Sequence, residues 1–119
     1  MIRIVTIGAA VLLATPVLAH PKLVVANPAA NATVAAPARI QLRFNEKLMP
    51  RLSGATLAMT GMGGVSHAPM PVPSTTLTTA DTLVITTEKP LIAGTYRVEW
   101  HVVSADTHRV TGDYAFTVH

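Results

Sequence analysis

The sequence contains no cysteine, so disulfide bonds and thiolate ligands are both excluded. Any soft sulfur ligand must therefore be a methionine. Only five of the 119 residues are aromatic, and the lysines and arginines are dispersed. Binding to nucleic acid needs clustered positive charge and stacking surfaces, so we expect no nucleic-acid partner. The sequence also lacks a G-x-S-x-G motif and a phosphate-binding glycine loop, so it predicts no catalytic nucleophile.

The first nineteen residues are typical of a secretory signal peptide. Arg3 supplies a positive charge, residues 4–14 are mostly apolar, and Val17-Leu18-Ala19 forms a small-residue cleavage site. The apolar run is too short to span ~30 Å of hydrocarbon. We predict a signal peptide at 1–19, cleavage after Ala19 and no stable membrane anchor; retention as an N-terminal anchor is the alternative. Residues 20–119 then form one small domain.

The remaining chain alternates short β-type runs with turn residues, and no helical period persists. In ARIQLRFNE, for example, Ile40, Leu42 and Phe44 fall on one face. The Gly/Pro-rich stretch 61–73 is predicted to be a loop or an irregular edge. Further strands are predicted at KLVVANP, ATLAM, TLVITT, GTYRVEWHVVS and VTGDYAFTV. About seven strands in a hundred residues predict an all-β, antiparallel β-sandwich of immunoglobulin-like type, with a small closed barrel as the alternative.

A candidate Cu(II) site joins the predicted mature N-terminus to a late D-x-H motif. After cleavage, His20 would offer an α-amine and a ring nitrogen, and Pro21 has no N–H with which to extend the chelate. Asp106 and His108 are two residues apart, so they project to one side of an extended segment. Three nitrogens and one oxygen suit tetragonal Cu(II). The alternative interpretation is that these are solvated loop residues.

A second candidate site is rich in methionine. Twelve residues contain Met59, Met62, His67 and Met70 among three glycines and a proline. Thioethers and imidazole suit Cu(I), whereas methionines used only as hydrophobic filler are the alternative. Glu46, just past a predicted strand, is a candidate for an outer oxygen near the Cu(II) site, or simply a solvated charge.

Three segments resemble the CopC family of periplasmic copper-resistance proteins: HPKL, SGATLAMTGMGGVSHAPM and AGTYRVEWHVVSADTHRVTGDYAFTV. The resemblance implies a Greek-key β-sandwich in the periplasm that binds copper without enzymatic turnover. It implies Cu(II) at His20, Asp106 and His108, with Glu46 nearby. It also implies Cu(I) at the opposite pole, on Met59, Met62, His67 and Met70. Where fully methionine-rich members have a further methionine, this chain has Val65.

The resulting hypothesis is a monomeric copper carrier or buffer for copper resistance and homeostasis. It would pass copper to a CopD-type inner-membrane protein or to other periplasmic copper proteins. Two alternatives remain open. One is an oxidative copper enzyme, because a terminal histidine chelate is similar to the histidine brace of polysaccharide monooxygenases. The other is a metal-free immunoglobulin-like interaction module, since a fold alone does not imply copper.

Overall fold

The structure, a computed structural model, describes residue 8 and residues 20–119. Apart from Gly8, the predicted signal peptide therefore lies outside the described residues. The predicted cleavage site lies between Ala19, which is not described, and His20, which is. In the described part, no helix has the length and apolar character needed to cross a membrane. The prediction of an all-β fold is confirmed.

Nine strands form two sheets that pack face to face. They are β1 Leu23–Asn27, β2 Thr33–Val34, β3 Ile40–Phe44, β4 Gly54–Met62, β5 Val65–Val72, β6 Ser74–Thr79, β7 Thr82–Thr87, β8 Gly94–Val103 and β9 Arg109–Val118. One sheet has the order β1-β3-β7-β6 and the other β2-β9-β8-β4-β5. All neighbours are antiparallel except β2 and β9. The chain changes sheet repeatedly, as in the predicted sandwich.

The core lies between the sheets and follows the alternation of the sequence. Ile40, Leu42 and Phe44 are all buried, as predicted. The facing strands β8 and β9 contribute a stacked pair, Tyr96 and Phe116, whose ring centroids are 5.6 Å apart. Burying one large apolar side chain stabilises the fold by about 1.5–3 kcal/mol. The core side chains named here therefore supply much of the stability of a domain that has no disulfide bonds.

The prediction of a loop or an irregular edge for residues 61–73 is confirmed in its second option, because β5 occupies most of that stretch as an edge strand that pairs irregularly with β4. Gly63 and Gly64 have φ angles of 58° and 78°, so they form a two-residue hairpin turn of the type that glycine favours. Pro69 and Pro71 are tolerated because β5 is an edge strand, where one side of the backbone needs no partner. The prolines therefore signalled an edge, as one of the two predicted options allowed.

Two further strands were not predicted, so the count is nine among the described residues, above the expected seven or so. The first, β2, has only two residues. The second, β6, has the sequence STTLTT and only one apolar residue, Leu77, which is exposed. Threonine favours strands, but a single apolar residue gives no alternation to detect.

The sandwich separates the two candidate sites along β8. Gly61 of β4 pairs with Thr95 at one end of β8, and Gly54 pairs with His101 near the other. Ten residues at ~3.3 Å each make β8 about 30 Å long. We call the two ends the histidine end, formed by His20 and loop 104–108, and the methionine end, formed by the β4–β5 hairpin.

Candidate metal sites

The histidine end is built on a tight loop between β8 and β9. The N–H of Ser104 donates to the carbonyl of His108 (3.0 Å), and the N–H of Thr107 donates to the carbonyl of Ser104 (2.8 Å). Thr107 adopts φ 70°, an uncommon conformation for a β-branched residue. Such backbone outliers cluster at functional sites. The loop turns Asp106 back toward His108, and Asp106 Oδ2 lies 3.0 Å from His108 Nδ1.

Asp106 is held in its charged form by its neighbours. The hydroxyl of the buried Ser104 donates a hydrogen bond to Asp106 Oδ1, and this bond is the largest cause that lowers the pKa of Asp106. His108 lowers the pKa further through its positive charge and its hydrogen bonds, while partial desolvation opposes both. The carboxylate is therefore available to a cation throughout the neutral and mildly acidic range.

His20 is positioned by the residues that follow it. Pro21 is fully buried. The N–H of Lys22 donates to Asn45 Oδ1 (2.7 Å), and the N–H of Asn45 donates to the carbonyl of Lys22 (3.0 Å). This reciprocal pair ties the segment at residues 20–22 to the end of β3. The exposed His20 ring then lies beside His108, with ring centroids 5.0 Å apart and planes tilted by 60°.

One short segment connects both halves of the histidine end. After Asn45, the carbonyl of Lys47 accepts from the N–H of Ala105 (3.2 Å), and Leu48 forms a β-bridge with Ser104. Glu46 is half-buried on this segment, so it lies at the predicted end of the sandwich. Its carboxylate forms no salt bridge within residues 20–119. The outer-shell role of Glu46 stays a prediction.

The three predicted Cu(II) residues are brought together, but their side chains alone do not form a finished metal site. Among residues 20–119, no group of three or more His, Asp or Glu side chains is arranged to hold a metal ion. Asp106 contacts Nδ1 of His108, which leaves Nε2 of that ring for a ligand. In the full chain the main-chain nitrogen of His20 is an amide, so the predicted amine ligand exists only after cleavage.

At the methionine end, the strand register pairs the predicted sulfur ligands. Met59 lies directly opposite Met70, and Met62 lies directly opposite Val65. The ladders of β4 with both β5 and β8 shift between Met59 and Gly61. At this shift one residue of β4 has no partner on β8, so the in-and-out alternation of side chains along β4 moves by one position. Met62 therefore lies on the same face of the sheet as Met59. Val65 therefore occupies the position where a fourth sulfur would complete the face.

The four residues of the methionine end differ in accessibility. Met59 is buried, whereas Met62 and Met70 are 49% and 58% exposed. Met59 and Met70 line one groove with Tyr96 and residues 88–92. His67 is half-buried, and its Nδ1 lies 2.7 Å from the carbonyl of Ala68, which leaves Nε2 free in the tautomer that donates this bond. The structure thus brings Met59 and Met70 together and leaves Met62 and His67 outside that groove.

Sequence reasoning missed Ser104 and Asn45. Ser104 precedes Asp106 by two residues, and His108 follows Asp106 at the same spacing. The spacing that made His108 a candidate therefore also indicated the Ser104 hydroxyl. Asn45 carries the signal of a strand-ending amide, but its partner Lys22 is 23 residues away. Only the pairing of β1 with β3 shows that contact.

Comparisons with known proteins agree with this architecture. A family model described as the CopC domain matches residues 23–119. The chain is 52% identical, over 96% of its length and 91% of the relative, to copper resistance protein C of Xanthomonas campestris pv. juglandis. It matches a crystal structure of PcoC, a methionine rich copper resistance protein from Escherichia coli, with a TM-score of 0.78 and 50% identity, covering 85% of this chain and all of that one. CopC from Methylosinus trichosporium OB3b matches with a TM-score of 0.72 and 30% identity, over 83% of this chain and 93% of that chain. The chain therefore belongs to the CopC family.

Proposed function

We propose that this protein is an exported, periplasmic copper-binding protein of copper resistance, which binds Cu(II) at the histidine end. The observation that carries the proposal is the approach of the His20 and His108 rings to 5.0 Å beside the ionised Asp106. Membership of a family whose relatives include several named copper resistance protein C supports the same conclusion.

The donor set at the histidine end matches the preference of Cu(II). Cleavage after Ala19 would give His20 two nitrogens, which form a chelate ring with the ion. His108 adds a third nitrogen through Nε2. Asp106 supplies negative charge, either as a direct oxygen ligand or by orienting the His108 ring through Nδ1. Nitrogen-rich sites with one hard oxygen favour tetragonal Cu(II), the divalent ion of highest affinity in the first transition row.

The methionine end is proposed as a weaker, soft site for Cu(I). Met59 and Met70 face each other across the β4–β5 ladder, and Met62 lies on the same face one pair further along. His67 is the proposed nitrogen ligand. Val65 leaves the set with three thioethers, so we expect lower Cu(I) affinity than in a chain with methionine at that position.

The role that these sites serve best is that of a carrier or buffer, without catalysis. Both sets lie at exposed ends of the sandwich, where a partner can reach the ion and exchange it. A CopD-type inner-membrane protein is the proposed recipient. An oxidative enzyme is the competing function, and it predicts oxidation of a polysaccharide or a phenol by the copper-loaded protein with reductant. We expect no such turnover.

The decisive experiment uses protein expressed with its own leader, recovered from the exported fraction and sequenced from its N-terminus. Cu(II) titration should give one equivalent with a nitrogen-rich tetragonal EPR spectrum. The matched control is the same protein with one residue added before His20, which converts the amine of His20 to an amide. We expect a loss of affinity of about 100-fold or more, because one ligand is removed and the chelate is broken. Equal affinity in the two proteins would refute the proposed site.

A further inference from the structure

The methionines of this chain differ widely in how much of each side chain is exposed to solvent. Four follow Met1 in the sequence. Met59 is only 6% exposed, whereas Met62 and Met70 on the β4–β5 hairpin are 49% and 58% exposed. Met49 is half-buried and lies near the histidine end, outside the hairpin. A small dissolved oxidant therefore has the easiest access to the thioethers of Met62 and Met70.

Met59 is shielded by its packing against β8. A Cβ atom added to Gly94, at the start of that strand, would lie 2.7 Å from Met59 Cε and 3.7 Å from its sulfur. Tyr96 and Met59 line the same groove, and both are buried. An oxygen atom added to this sulfur would be placed among apolar atoms, where an unpaired polar group is costly. Burial thus protects Met59 from the chemistry that is open to the two exposed methionines.

Thioethers are the sulfur groups that a peroxide can oxidise in this protein, because the chain has no cysteine. A lone pair of the sulfur attacks one peroxide oxygen, the O–O bond breaks, and the other oxygen leaves as water. The sulfur is oxidised by two electrons and the peroxide is reduced by two. The product is methionine sulfoxide, which methionine sulfoxide reductases convert back to methionine. The modification is therefore reversible where a reductase can reach the side chain.

Oxidation removes the property that makes the methionine end a candidate for Cu(I). Cu(I) prefers soft thioether sulfur, whereas a sulfoxide presents a hard oxygen. Met62 and Met70 are two of the three proposed thioether ligands, and Val65 leaves no fourth sulfur to replace them. Their oxidation would leave only Met59 and His67. The proposed Cu(II) set contains no sulfur and lies at the other end of β8, so it would be unaffected.

We propose that Met62 and Met70 form a reversible oxidation switch for the methionine end: peroxide oxidises these two thioethers, abolishes Cu(I) binding and leaves Cu(II) binding intact. Bound Cu(I) engages the same sulfur lone pairs, so the ion and the oxidant compete for the two residues. The inference rests on the proposed Cu(I) function of the methionine end. Under it, both ends of the sandwich bind copper in a reducing medium, and only the histidine end binds copper in an oxidising one.

The sites of oxidation are measured on the metal-free protein, so that copper does not catalyse the reaction. After timed exposure to hydrogen peroxide, mass spectrometry of peptides gives the oxidised fraction of each methionine. Met62 and Met70 should react at least about tenfold faster than Met59, with Met49 between them. The control is the protein unfolded in guanidinium chloride, in which all four should react at one rate because burial is lost. Equal rates in the folded protein would overturn the proposal.

Cu(I) competition titration, performed after the peroxide is removed, tests the consequence for metal binding. The oxidised protein should bind Cu(I) about 100-fold more weakly, about tenfold for each lost thioether. Treatment with methionine sulfoxide reductases should restore the affinity, and the Cu(II) EPR spectrum should stay the same throughout. Reduced protein that binds no Cu(I) would refute the soft site and the switch together. Equal Cu(I) affinity before and after oxidation would refute the switch alone.

Leucine variants assign the effect to the two exposed residues, because leucine is close to methionine in size and has no sulfur. Met49→Leu is the matched control and should leave the peroxide-induced loss of Cu(I) affinity unchanged. Met62→Leu and Met70→Leu should each bind Cu(I) about tenfold more weakly before oxidation, and should lose only about tenfold more after it. A further 100-fold loss in either variant would place the sensitive group elsewhere and contradict the proposal. Circular dichroism confirms that each variant is folded.

Discussion

The histidine end and the methionine end solve the problem of gathering ligands in different ways. At the histidine end, ligands from opposite ends of the domain are fixed by hydrogen bonds between distant segments: the Ser104 loop, the Leu48 bridge and the Lys22–Asn45 pair. At the methionine end, the ligands come from one hairpin and are fixed only by the register of an edge strand. The first end is preorganised by tertiary structure, and the second by local structure alone.

This difference has a consequence for metal binding. A preorganised set of charged and nitrogen donors loses little entropy when it binds, whereas exposed thioethers on an edge must be ordered by the ion itself. We therefore expect that removing any one ligand residue from the histidine end will lower its Cu(II) affinity strongly. At the methionine end, each substitution should change the Cu(I) affinity by a smaller amount. Its Cu(I) affinity should also be the easier one to raise by adding a ligand.

The largest effect is expected for His108→Ala. This change removes the only imidazole that loop 104–108 brings to His20, so Cu(II) affinity should fall by about 100-fold or more, at or above the loss found for outer-shell partners. Competition titration with a chelator of known affinity measures it. His119→Ala, at the exposed end of the chain, is the control and should leave the affinity unchanged. Equal effects of the two variants would mean that Cu(II) binds histidines indiscriminately.

A smaller loss is expected for Asp106→Asn. The amide keeps the shape of the carboxylate but removes its charge and weakens its hold on His108 Nδ1. Cu(II) affinity should fall by about 10–100-fold, the range found when a ligand-orienting carboxylate is removed. The EPR spectrum distinguishes the two roles proposed for Asp106. A direct ligand changes the hyperfine pattern, whereas an orienting residue leaves the pattern and lowers the affinity.

At the methionine end we expect a gain. Val65→Met places a thioether directly opposite Met62 and should raise Cu(I) affinity by about tenfold, through one added ligand worth ~1.4 kcal/mol. Val65 is 68% exposed, so the change should alter the free energy of unfolding by less than about 0.5 kcal/mol. Val65→Leu is the control for added apolar volume. No gain with methionine, measured by Cu(I) competition, would indicate that this hairpin does not gather sulfur around an ion.

The smallest effect is expected for Ser104→Ala, and it concerns pH. Ser104 is the largest cause that lowers the pKa of Asp106, so the variant should show a higher pKa for this carboxyl in an NMR titration. Because the folded-state pKa is depressed, the stability contributed by the ionised group is present above the unfolded pKa and is lost as the pH falls through the folded pKa. In the variant the folded-state pKa moves toward the unfolded value, so this contribution should be smaller and its loss should be complete at a higher pH. An unchanged titration of Asp106 would contradict the assigned hydrogen bond.

The accuracy of sequence reasoning followed the same division between local and distant contacts. Strands with strong alternation, such as β3 and β9, were predicted correctly because their own side chains encode which face is buried. Strand β6 was missed because its threonines give no apolar face. The stretch that contains β5 was predicted only as a loop or an irregular edge, because prolines and glycines mark turns and edges alike. The paired glycines at 63 and 64 did encode the hairpin, and the Gly-Gly pair was the overlooked signal.

By itself, the sequence determined the chemistry available to this protein: no thiolate, a methionine cluster, a D-x-H motif and a candidate mature terminus beginning with histidine. It also determined the all-β character and favoured the sandwich over a small closed barrel, since alternation and turns are local properties. Only the tertiary structure decided which of these groups meet. His20 lies beside His108 because β1 pairs with β3 and the 45–49 segment bridges to loop 104–108, and contacts between residues so far apart in the chain leave no pattern in a single sequence.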